Sequence, residues 1–267
     1  MGQVEMAGKN NIALQPIKKS DFARCTVAML EGEIPGATVY YHTMLAGDKV
    51  FYQASPEVLK TFLHMDGVIK IRQKGTDREF NQTASYVADP KEDIELISVT
   101  CSHFLEIQWK LEPQDQEFLK ENRTTFPLVQ IYSECEQYRE TFKSEKTISR
   151  SIIDHHALPR FCMGSNEAFG PDRVEPHAHP LLDQFFFSFP ENDVNLLIDD
   201  MVQPYEGNTL IHIPLGSNHG VEILEGGKMH YVWIDFIINP QGVEYLDEVH
   251  VKTGVKQSFD ENKQITQ

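Results

Sequence analysis

Positive charge is what this sequence is shortest of: 24 lysines and arginines stand against 40 aspartates and glutamates, a net charge of −16. A deficit of that size disfavours polyanionic partners, so neither nucleic acid nor an anionic membrane surface is expected to bind. Cysteine is scarce too. Cys25, Cys101, Cys135 and Cys162 are scattered without Cys-x-x-Cys spacing, which argues against a disulfide framework or a thiolate zinc site. They read as reduced, buried thiols of a cytoplasmic protein. No run reaches the roughly 18 apolar residues of a membrane span. The chain does not open on a charged segment followed by an apolar one, so no secretory leader is expected. What remains is 267 residues, 40% of them hydrophobic, enough for one large domain or two ordinary ones.

Two short stretches carry chemistry: His177-Ala-His179-Pro-Leu-Leu-Asp-Gln184, and Pro214-Leu-Gly216-Ser-Asn-His219. On a strand, His-x-His places both imidazoles on one face, because side chains alternate with period 2. A third histidine arriving from a Pro/Gly turn can close a metal site while leaving positions open for substrate. The pair resembles the two motifs of the cupin superfamily, small antiparallel β-barrels that bind a metal in their mouth. His177, His179, Gln184 and His219 fall on the family's ligand positions, and Pro214 and Gly216 on its turn. Gly170 and Gly207 approximate the leading glycines. Gln184 stands where Glu is commoner, and Pro190-Glu191-Asn192-Asp193 replaces the glycine turn expected after it. The resemblance implies one divalent transition metal. Neutral nitrogen and oxygen ligands suit Zn, Mn, Fe, Ni or Co without choosing among them.

The chain also repeats itself. Residues 102–119 match 229–246 at an offset of 127, with His103/His230, Ile107/Ile234, Pro113/Pro240 and Leu119/Leu246 identical. Residues 47–56 match 171–180 at an offset of 124. Two barrels are therefore expected. At the offset of 124, the four ligand positions of the second copy correspond to Gln53, Ser55, Lys60 and Glu95. A lysine there repels a cation, so the first barrel is expected to lack a metal, with Lys60 and Glu95 paired across the lost site.

Short runs rich in β-branched and aromatic residues, such as 68–72, 94–99, 185–189 and 231–236, read as strands. The fold expected is all-β: two tandem cupin-type antiparallel β-barrels (double-stranded β-helices) with a short helical connection. Residues 1–125 would form the first barrel, 126–150 a helical linker and 151–267 the metal-binding barrel, with a loose tail from about 252. If Gln184 points inward, Phe185, Phe187 and Phe189 point outward and need cover, from the other barrel or from a homodimer mate.

The ligand set is neutral, so a bound metal keeps its charge and favours a small anionic substrate, a hydroxy or keto acid or a sugar acid. The resemblance to cupins with Gln among the ligands implies Lewis-acid isomerase or lyase chemistry. Two alternatives stay open: an Fe(II)-dependent dioxygenase, and a non-catalytic metabolite-binding protein. Glu175, two residues before His177, and His212 are the candidate proton-handling residues. Arg160 and Arg173 are candidates for gripping a substrate carboxylate. His212, Tyr231, Trp233 and Asp235 lie on expected strands, and one parity class of them can line the pocket; His155-His156 reads as loop.

Overall fold

A computed structural model describes residues 12–19 and 21–266. Two compact units emerge: residues 18–134, and residues 12–17 together with 135–266. The first described strand, β1 (Leu14–Pro16), thus belongs with the later part of the chain.

The unit of residues 18–134 holds β2 (Cys25–Met29), β3 (Ala37–Met44), β4 (Lys49–Tyr52), β5 (Val58–Asp66), β6 (Ile69–Gln73), β7 (Thr76–Phe80), β8 (Ala84–Val87), β9 (Ile94–Ser98), β10 (Ser102–Lys110), α1 (Pro113–Glu121) and β11 (Leu128–Ile131). They pair antiparallel in two sheets, ordered β11-β8-β5-β10-β3-β2 and β4-β9-β6-β7. Phe62, Phe104, Ile71 and Leu96 from both sheets meet in its core.

The other unit repeats the plan with β12 (Glu136–Arg139), β13 (Ile148–Ile153), β14 (Phe161–Phe169), β15 (Asp172–Ala178), β16 (Leu182–Ser188), β17 (Asp193–Ile198), β18 (Met201–Glu206), β19 (Thr209–Ile213), β20 (Asn218–Ile223), β21 (Lys228–Ile237) and α2 (Gln241–Val249). Short strands β22 (Val251–Lys252), β23 (Ser258–Phe259) and β24 (Ile265–Thr266) follow. One sheet runs β1-β19-β16-β21-β14-β13-β12-β22, and β15, β20, β17 and β18 pair as the opposite wall. The repeat holds at the level of single pairs. Phe104 faces His42 across β10 and β3, as Tyr231 faces Asn166 across β21 and β14.

Of residues 126–150, expected to be helical, Tyr132–Glu134 form a single 3-10 turn and the rest is strand, turn or irregular. The helix stops at α1, where Arg123 adopts a left-handed φ of 51°. Pro127 and the apolar run Leu128-Val-Gln-Ile131 then favour an extended strand, and β11 pairs with β8. Beside β19 the equivalent place is taken by β1, with Leu14 opposite Ile211. Residues that precede the first barrel in the chain thereby complete the second. The tail is tied down as well, by β22 against β12 and by Gln137 Nε2, which donates to the Gln257 carbonyl oxygen at 2.7 Å. Of the cysteines, Cys135 and Cys162 are buried as expected, whereas Cys25 is exposed and Cys101 half-buried.

Candidate metal centre

His177 and His219 face each other directly across β15 and β20. A bulge in β15 between Val174 and His177 sets this register, and Gly220 makes room for it. A Cβ on Gly220 would lie 2.6 Å from the Val174 carbonyl oxygen and 2.9 Å from Pro176 N. The turn before β20 needs Gly216 at φ +74°. His179 joins from just beyond β15, and ligand nitrogens of the three rings lie within 4.8 Å of one another.

Hydrogen bonding prepares two of the rings as ligands. His177 Nδ1 donates to the Glu175 carbonyl oxygen at 2.8 Å and His219 Nδ1 to that of Ser217 at 3.2 Å. Each Nε2 is left with its lone pair. His179 Nδ1 is buried with no hydrogen-bond partner. Burial is the leading cause that lowers the pKa of all three, His219 to about 3, and repulsion among the imidazoles adds to it for His179 and His219. The rings are therefore neutral at neutral pH, the state a metal requires.

Gln184 lies across from Asp235 on β16 and β21, and its Nε2 donates to Asp235 Oδ1 at 2.8 Å. This leaves Oε1 as the amide atom available to a metal. Asp235 is fully buried, which pushes its carboxyl up to about 7 against the pull of the Gln184 bond. Gln184, Tyr231, Trp233 and Asp235 line a cavity of about 30 Å³ with the three histidines, as strand parity predicts. Neutral imidazoles with preset tautomers, an orphaned buried nitrogen and a fixed amide oxygen fit a divalent transition metal.

The proton-handling candidates lie elsewhere. Glu175 points outward, 64% exposed, and pairs with Arg173 at 3.2 Å; the bulge reverses the facing that strict alternation assigns it. His212 bonds Asp183 at 2.8 Å on the other face of β19 and β16. Neither they nor Arg160 and Arg173 line the cavity. Beside Asp235, its charged groups come instead from the loop after β12. The buried Glu140 carboxylate is held by the Lys143 ammonium and by His250 Nε2 at 3.3 Å. Burial pushes Glu140 up, but Lys143 and His250 outweigh it and hold the carboxyl at about 2. Lys143 Nζ also donates to Asn166 Oδ1 at 2.7 Å, and Asn166 Nδ2 to the Tyr231 hydroxyl at 3.0 Å. Phe142 stacks on His177 with centroids 3.6 Å apart. No motif marks Glu140, Lys143 or His250 in the sequence.

The corresponding place in the first barrel is closed. Gln53, Ser55, Lys60 and Ile94 line a cleft with no volume for a water molecule. Pairing of β9 with β4 and β6 matches that of β20 at an offset of 125, so Ile94, not Glu95, stands in for His219. Glu95 faces outward to Arg72 at 2.7 Å and Lys49 at 3.7 Å, so the expected Lys60–Glu95 pair does not form. Inside, Glu106 accepts from Tyr52 and Gln108 and meets His42 at 2.8 Å, filling the space with a closed polar network. Phe185, Phe187 and Phe189 are buried within one chain, so that face gives no reason for a homodimer.

No family model matches the sequence, and no curated protein is similar to it in sequence. Solved structures are similar in fold. A cupin 2 conserved barrel protein from Leptotrichia buccalis superposes with a TM-score of 0.58 at 12% identity, over 83% of this chain and 92% of its own. AerE from Microcystis aeruginosa gives 0.60 at 11%, over 88% and 98%. A formate complex of oxalate decarboxylase from Lactobacillus farciminis gives 0.61 at 9%, over 88% and 84%.

Proposed function

From the premise that this chain carries the cupin fold in two barrels, we propose that it is a metal-dependent enzyme of the isomerase or lyase class. It acts in the second barrel on a small anionic hydroxy or keto acid. The observation that carries this reading is the convergence of His177, His179 and His219 with two tautomers already set. A divalent metal held by these rings and Gln184 would supply Lewis-acid polarisation of a substrate oxygen. Similarity to oxalate decarboxylase is consistent with a small carboxylate substrate.

The chain's own residues account for orientation and proton handling. Among the described lining residues Lys143 is the cation placed to meet a substrate carboxylate, which then competes with Glu140 for the ammonium. Glu140, Lys143 and His250 form a connected set able to hold or pass a proton, and they replace Glu175 and His212 in that role. The cavity has room for a water or two. A substrate larger than that needs lining side chains to move apart.

Elemental analysis tests the centre. His177→Ala and His219→Ala should each lower the metal content by one equivalent per chain with the circular dichroism unchanged; an unchanged content overturns the assignment. Anaerobic turnover then separates the reaction classes, since an Fe(II) dioxygenase stops without oxygen. Full metal content with no turnover of any hydroxy or keto acid would point to the binding-protein alternative.

A further inference from the structure

Outside this centre, one cluster in the unit of residues 18–134 has the make-up of a second site. We infer that Asp21, Cys101 and His103 bind a thiophilic divalent cation of the zinc type. Their ligand atoms lie within 4.8 Å of one another. His103 is 98% buried, by a side-chain exposure of 2%. Its Nδ1 is taken by Asp66 Oδ1 at 2.6 Å, which fixes the ring in the way carboxylates orient metal-binding histidines. Its Nε2 is buried and makes no hydrogen bond. That nitrogen points at Asp21 Oδ1, 3.4 Å away.

The repeat isolates what is particular to this copy. His230, the counterpart of His103, is held in the same way by Glu191 at 2.6 Å. The histidine–carboxylate pair is thus common structural ground at the start of β10 and β21. Position 101 differs. Its counterpart at the offset of 127 is Lys228, whose ammonium sits 3.1 Å from Glu191. The second barrel has a built-in cation beside its pair. The first also has an ammonium on its carboxylate, Lys19 Nζ at 2.6 Å from Asp66 Oδ2, but from another segment, so position 101 itself is left as a thiol, and Asp21 adds a carboxylate on the other side of the imidazole.

Nitrogen, sulfur and oxygen donors together suit zinc, with bonds of about 2.0–2.3 Å. Drawing the three atoms that close requires a small movement, which exposed Asp21 on the chain leading into β2 can make. The carboxylates of Asp21 and Asp66 flank the two ring nitrogens of His103, and the Lys19 ammonium sits on the other oxygen of Asp66 at 2.6 Å. A bound ion would fasten residue 21 to the start of β10.

Cobalt(II) titration of the whole chain distinguishes this site from the three-histidine centre, which has no sulfur donor. The His219→Ala chain should bind one equivalent of cobalt with a thiolate-to-metal charge-transfer absorption. Cys101→Ser should abolish that band while leaving the folded spectrum intact, and Cys25→Ser should leave it unchanged. His103→Gln should weaken cobalt binding at least tenfold. No charge-transfer band in the parent, or a band that survives Cys101→Ser, overturns the proposal and leaves the three-histidine centre untouched.

Discussion

Gln184 and Asp235 meet across neighbouring strands in the second barrel, the amide donating to the buried carboxyl at 2.8 Å. At the same two positions the first barrel has Lys60 and Gln108, also directly paired. This pair is one of the differences between the barrels, beside Gln53, Ser55 and Ile94 at the places of His177, His179 and His219. In the second barrel the bond directs the amide oxygen away from Asp235. In the first, an ammonium stands in the same place.

Removing the acceptor should release Gln184. Asp235→Val is expected to weaken metal binding by about 10- to 100-fold, the usual cost of losing an outer hydrogen-bond partner. Asp235→Asn keeps an acceptor oxygen and should retain most of the affinity. Competition against a chelator measures both, and equal affinities for Asp235→Val and the parent would refute the orienting role.

Acid should destabilise the metal-free protein. His219 has a folded pKa of about 3 against 6.5 for an ordinary histidine. Below pH 6.5 the unfolded chain binds the extra proton, so this group costs about 1.4 kcal/mol of stability per pH unit down to about pH 3. His179 acts in the same direction. Asp235 acts oppositely: with a folded pKa of about 7 against 3.8, it contributes stability below 3.8 that is lost as the pH rises to about 7. Two histidines against one carboxyl leave a net loss on acidification. Urea midpoints between pH 7 and 5 should fall in the metal-free parent and fall more steeply in Asp235→Asn.

Glu140 and Lys143 form an ion pair with side-chain exposures of 3% and 7%. Glu140→Gln leaves a buried ammonium without its counter-charge and should cost about 3–5 kcal/mol in denaturant unfolding. Glu140→Gln with Lys143→Met should recover much of that while abolishing turnover. A double variant no more stable than the single one would show that the pair's charge is not what matters there.

Deleting the chain through Ile17 removes β1 from the second barrel, together with Ile12 from its core. The loss should be on the order of 2–4 kcal/mol and fall on that barrel. Limited proteolysis should then cut residues 135–266 before 18–134. Cleavage first in 18–134 would contradict the assignment of β1.

Much of this was legible in the residues themselves. Alternation in runs such as Tyr231-Val-Trp-Ile-Asp235 announces strands and tells which side chains share a face. The spacing of His177, His179, Gln184 and His219 marks the four candidate ligands, and the repeat reveals two barrels and a lysine in the first. These signals are local, or are copies of local ones. What period and spacing cannot carry is any pairing between distant segments, or a bulge that shifts facing. The bulge in β15 turned Glu175 outward, and a one-residue change of offset put Ile94 where Glu95 was expected. Glu140 and Lys143 reach the cavity from a loop with no motif, β1 joins the barrel that lies farther along the chain, and Asp21 meets Cys101 and His103, themselves two residues apart, only through packing. Each depends on which strands lie side by side, a choice made by burial summed over the whole barrel and not by any residue's immediate neighbours.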